Sequence, residues 1–146
     1  MEHYDGVTVV GHGWILIAKQ CRMSSQQFIQ VADKIASQIE KANFGSDQIH
    51  MFSLMDDVGE GEVAFEIDEE SARYNFKAWS QFYLAIQPFI EDALFYFEEI
   101  PGQTEHRVWK DNYSNGSWTT AKGETVFQPW EEMKFNLPNV GLNVKL

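Results

Sequence analysis

The residue types that carry most acid–base and metal chemistry are few and scattered in this chain. Its histidines are His3, His12, His50 and His106, and its single cysteine is Cys21. No two histidines stand four apart, and there is no C-x-x-C pair, so no local zinc signature exists. A metal site would need His12, His50 and His106 brought together across strands. No histidine opens an H-x-[ST] pair, which two-histidine phosphodiesterase chemistry requires. Cys21 lies between a predicted strand and a predicted helix, and a lone thiol so placed reads as inert or partly buried instead of as a nucleophile. A G-x-S-x-G nucleophile turn is absent, as are both common phosphate-cradling glycine patterns. Gly11-His12-Gly13 lacks a third glycine and leads into more apolar strand instead of a helix.

Carboxylates are abundant but not arranged for catalysis. The segment Asp56-Asp57-Val58-Gly59-Glu60-Gly61 has the look of a calcium loop. It places Val58 at the third position and Ile67 at the twelfth, where oxygen ligands are required. The pairs Glu69-Glu70, Glu91-Asp92, Glu98-Glu99 and Glu131-Glu132 are chain neighbours. A glycosidase needs two acids facing each other across a cleft, which adjacency does not supply. The sequence therefore reads as non-enzymatic, with no catalytic residue, metal or cofactor assigned.

Charge is the feature that stands out. The chain has 146 residues, with 22 acids against 11 bases and a net charge of −11. No Lys or Arg occurs from Ala42 to Ala72, a stretch holding nine acids. Within it, Asp56, Asp57, Glu60, Glu62, Glu66, Asp68, Glu69 and Glu70 form the candidate partner-binding set. In the alternating run 62–68, Glu62, Glu66 and Asp68 share the face opposite Val63, Phe65 and Ile67. Such a surface repels nucleic acid and anionic lipid, and speeds encounter with a basic partner. Among the aromatics, Trp118 and Trp130 are expected to be partly exposed beside it.

The elements that would position these groups follow from periodicity. Residues 7–18 are β-branched and apolar and predict a strand, with the two glycines marking a bulge or the close approach of another backbone. Ser24 and Gln27 form a capping box. Phe28, Val31, Ala32, Ile35, Ile39 and Ala42 then fall on one helical face, ended by Gly45. Strands are predicted over 49–55 and 62–68, separated by an acidic turn at 56–61. Ala72, Tyr74 and Phe76 alternate as a further strand, making a hairpin around Glu69-Glu70. The competing reading begins a helix at Ala72. Trp79, Phe82, Tyr83, Ile86 and Ile90 make a second helical face, with Pro88 at its last turn or kinking it. Strands are expected over 94–99, 106–113 and 118–121, the last two joined through Asn115-Gly116. The tail from about residue 130 reads as irregular.

The expected fold is α+β, in the order β-α-β-β-β-α-β-β-β: a mostly antiparallel sheet with two helices on one face. Residues 1–146 read as one domain. The N-terminus lacks a basic region and apolar run, and a lone cysteine suits a reducing compartment, so cytoplasmic residence is expected. The functional expectation is an acidic binding or inhibitor protein that occupies a basic surface on another macromolecule. Immunity proteins and phage-encoded inhibitors are the type, by composition alone, and the partner would be a toxin, nuclease or host defence factor. The alternative is a ligand-binding or catalytic pocket between sheet and helices near His12.

Overall fold

The computed structural model describes residues 6–44, 54–67, 74–99, 107–124 and 131–134. In chain order, β1 (Val9–Ile17) passes through a 3-10 turn, Lys19–Cys21, into α1 (Ser25–Phe44). The hairpin of β2 (Leu54–Gly59) and β3 (Glu62–Ile67) follows, then α2 (Phe76–Ile86) with a 3-10 turn at Gln87–Phe89. A meander of β4 (Ile90–Glu99), β5 (Arg107–Ser114), β6 (Ser117–Glu124) and β7 (Glu131–Lys134) ends the described chain. All seven strands join one antiparallel sheet in the order β2-β3-β1-β4-β5-β6-β7. The α+β architecture and the two helices on one face are as expected.

Strand alternation sends one set of side chains toward the helices. Val9, Ile15 and Ile17 of β1, Val63, Phe65 and Ile67 of β3, and Ala93, Phe95 and Phe97 of β4 are buried there. Trp109, Tyr113 and Trp118 continue this inner face across β5 and β6. Phe28, Ala32, Ile35 and Ile39 of α1 close over it, as do Trp79, Phe82, Tyr83 and Ile86 of α2. Trp79 lies among Phe97, at 5.1 Å between ring centroids, Phe82 at 5.7 Å and Tyr83 at 5.9 Å, mostly edge-on, the geometry ring quadrupoles favour.

The two glycines of β1 are explained by this packing. Pairing runs unbroken through Gly11, His12 and Gly13, and the register shift lies later, between Leu16 and Ile17. A Cβ on Gly13 would overlap the Phe65 ring and the Leu94 carbonyl. On Gly11 it would stand 2.8 Å from the Tyr96 carbonyl and 3.1 Å from the Phe97 ring. Aromatic rings from the neighbouring strands thus occupy the space that side chains would take.

Local signals set most element ends. Ser24 N–H donates to Gln27 Oε1 at 2.8 Å and Gln27 N–H returns a bond to Ser24 Oγ at 3.1 Å, the expected capping box. Asn115 and Gly116 both have positive φ, 52° and 75°, as the tight β5–β6 turn demands. Four expectations need correction. The described part of the strand expected at 72–76, from Tyr74 on, is not a strand: Phe76 opens α2, because the Asn75 side chain accepts a bond from Ala78 N–H at 2.8 Å and caps a helix. Tyr74 instead pairs its backbone with Gly6 and Val7 while its ring enters the core. The hairpin partner of β3 is β2, which runs through Asp56 and Asp57 and confines the turn to Glu60-Gly61. Ile90 begins a strand, since α2 stops at Ile86 before the Pro88 turn. Part of the tail, Glu131–Lys134, is a strand paired to β6. The predictions at 45–53, 68–73, 100–106, 125–130 and 135–146 lie outside the described residues.

Candidate docking face

The sheet face turned away from the helices is where the candidate residues gather. Antiparallel partners share a face, so the register orders its side chains in rows. Glu62, Leu16 and Asp92 form one row, and Asp56, Ala64, Trp14, Leu94 and Asn112 the next. Glu66, His12, Tyr96 and Lys110 form a third row, and Val10, Glu98 and Val108 a fourth. An apolar and aromatic centre thus has carboxylates at its margin. Leu94 keeps 38% of its surface exposed, and Trp14, Leu16, Val10 and Tyr96 are half-buried. From β2 across to β5, among the described residues, Lys110 is the single Lys or Arg on this face.

Several contacts fix the geometry. Trp14 Nε1–H donates to Glu62 Oε1 at 3.1 Å, holding the indole against the sheet with its polar edge satisfied. His12 lies 4.9 Å from the Tyr96 ring at an interplanar tilt of 34°. The Tyr96 phenol is held above its ordinary pKa of 10.0, first by partial burial and then by the Glu98 charge. Beside these residues the face dips into a cavity of about 410 Å³, lined by His12, Ala64, Glu66, Tyr96 and Glu98 among others.

The structure divides the acidic set expected from sequence. Asp56, Glu62 and Glu66 stand on the outer face. Asp57 is register partner of Val63 and so turns the opposite way, its carboxylate accepting from Gly59 N–H at 3.2 Å. Asp57 and Glu60 instead border a cleft of about 820 Å³ at the start of α1, where Lys19 and Arg22 supply opposite charge. Asp68, Glu69 and Glu70 lie outside the described residues. Asp92 and Glu98 were missed, although Asp92, Leu94, Tyr96 and Glu98 alternate with Ala93, Phe95 and Phe97, a visible period-two signal. Trp118 is a further correction: it is 5% exposed, stacked 4.3 Å from Tyr83, with Nε1–H donating to Gln87 Oε1 at 3.0 Å.

The alternative expectation set His12 beside a pocket between sheet and helices, and the structure places His12 elsewhere. Even-numbered β1 residues point away from the helices, so His12 is exposed on the outer face. Cys21 donates its thiol to the Pro88 carbonyl at 3.4 Å. Among the described residues, no group of three His, Cys, Asp or Glu is placed to hold a metal ion. No helix among them is long and apolar enough to cross a membrane. Compared with family models, with curated proteins and with solved structures, the chain matches none.

Two ionic groups sit on the inner face, away from this surface. Tyr83 O–H donates to Asp111 Oδ2 at 2.7 Å, both residues fully buried. Burial, then the Asp111 charge, pushes the Tyr83 phenol well above its usual pKa of 10.0. Glu99, 1% exposed, is paired with Arg107 at 2.6 Å. The Tyr83–Asp111 bond joins α2 to the sheet, and the Glu99–Arg107 pair bridges β4 and β5.

Proposed function

We propose that this chain is a binding protein whose outer sheet face docks a basic surface of another protein. The supporting observation is the arrangement of that face: Trp14, Leu94 and Tyr96 at the centre, with Asp56, Glu62, Glu66, Asp92 and Glu98 around them. Interfaces concentrate their affinity in a partly desolvated aromatic centre, while charged margins set approach rate and partner choice. The partner this chemistry fits has apolar side chains at its contact centre and Lys or Arg around them. A toxin, nuclease or defence factor neutralised in the manner of an immunity protein or phage-encoded inhibitor is the concrete form, with the cytoplasm as the compartment. The chain then acts by occlusion, without turnover.

The test compares the wild-type protein with an Asp56→Lys/Glu66→Lys/Asp92→Lys variant in capture from a lysate of the native host. Circular dichroism checks that both are folded. The wild type should retain a basic protein at low salt and release it as salt rises, and the variant should retain none. Equal retention by a folded variant would refute the reading.

A further inference from the structure

At one edge of the sheet, β2 pairs with β3, and among the described residues nothing pairs with its other side. In an antiparallel ladder alternate residues direct both N–H and C=O to one neighbour, so half of the backbone groups of β2 face away from β3. Exposed edges are usually blunted by lysine, proline or a bulge within the strand. Here the irregularity comes only at the end, between Asp57 and Gly59, and Leu54 to Asp57 pair in regular register. The bulged end is anchored from below, where Ser25 Oγ–H donates to the Gly59 carbonyl at 2.7 Å. Beside the edge, Val58 leaves 53% of its surface exposed.

Charge decides what this edge accepts. Asp56 and Asp57 are both exposed and project to opposite faces of the sheet. A second copy of β2 paired in register in parallel, or antiparallel about the Asp56–Asp57 bond, would set carboxylates against carboxylates on each face. Like charges placed opposite one another across strands are destabilising. A strand carrying lysine or arginine reverses the sign of that term on both faces.

We propose that β2 is a strand-addition site: an extended, Lys- or Arg-rich segment of the partner joins the sheet there as an additional strand. This rests on the reading of a basic protein partner and specifies how such a partner attaches. Backbone hydrogen bonds supply the attachment, while Asp56 and Asp57 select for positive side chains. The added strand would extend the outer face beside Asp56, continuous with the docking surface.

The test uses a capped peptide of alternating valine and lysine, and the same peptide N-methylated at alternate residues in the two possible phases. Backbone amide exchange of residues 54–59 reports pairing. The unmodified peptide should slow exchange in β2. One N-methylated phase should bind at least about tenfold more weakly, since methylation removes backbone donors and leaves charge intact. An Asp56→Lys/Asp57→Lys variant should lose a similar factor. If the peptide binds with unchanged β2 exchange and both methylated phases bind equally, strand addition is overturned while the docking reading stands. Absence of peptide binding at low salt also overturns strand addition, and the docking reading is then judged by lysate capture alone.

Discussion

Replacing Tyr83 with Phe removes one oxygen atom from the centre of the core and leaves the ring packing in place. That oxygen donates to the Asp111 carboxylate at 2.7 Å, with both residues fully buried. A hydrogen bond to a charged group is worth about 1.5–3 kcal/mol, and a buried carboxylate deprived of a donor carries its desolvation cost as well. The expected loss is about 2–3 kcal/mol. At roughly 3 °C per kcal/mol for a domain of this size, Tm falls by about 6–9 °C. Asp111→Leu alone should also destabilise. The double variant should recover part of the loss, because two apolar groups leave no charge in need of a partner. Thermal and urea unfolding of the four proteins give the coupling energy directly. The alkaline limb offers a second readout. Tyr83 titrates near 10.0 in the unfolded chain and well above that when folded. Above pH 10 the unfolded state therefore binds fewer protons than the folded one. This contribution is complete below pH 10 and is lost as pH rises toward the folded value. Tyr96 shifts in the same direction, so the Tyr83→Phe variant should show a shallower decline, not a flat one. A coupling energy below about 0.5 kcal/mol, with an unchanged alkaline slope, would refute the account of this pair as a linked unit.

Other perturbations test the fold around the docking face. Gly13→Ala should destabilise by about 3 kcal/mol or prevent folding, because the new methyl group collides with the Phe65 ring and the Leu94 carbonyl. Gly11→Ala should cost less, its nearest contact being 2.8 Å from the Tyr96 carbonyl, and urea midpoints rank the two. Arg107→Ala leaves Glu99 buried without this guanidinium and should cost about 3 kcal/mol, whereas Arg107→Ala/Glu99→Leu should lie closer to wild type. Asn75→Ala should lower stability by about 1 kcal/mol through loss of the α2 cap, read as a small Tm shift with unchanged near-ultraviolet dichroism.

Much of the architecture was legible locally, and the misreadings share a cause. The α1 capping box, the Asn115-Gly116 turn and the alternation of 62–68 are short-range patterns whose energetics are complete within a few residues. The misread segments are those in which two local patterns compete. Residues 72–76 alternate like a strand and also begin a helical stripe. Asn75 resolves that contest by capping α2, while the Tyr74 ring meets Phe97 and Trp109 at 5.0 Å each. Ile90 fits the helical face of α2 and also the first inward position of β4, and Pro88 separates the two.

The candidate face shows the same division. By itself, the order of residues determined that Glu62 and Glu66 oppose Val63, Phe65 and Ile67, because side-chain direction along a strand repeats every second residue. It also determined a base-free acidic stretch and a two-glycine interruption of β1. Only the tertiary structure decided which strands lie side by side. The order β2-β3-β1-β4 brings Asp92 and Glu98 from a distant segment to the margin that Asp56, Glu62 and Glu66 begin. It turns Asp57 to the other face and fills the glycine gaps with Phe65 and Phe97. The reason is physical: strand neighbours are chosen by the fit of the shared aromatic core beneath them, a property of the whole sheet that no single segment encodes.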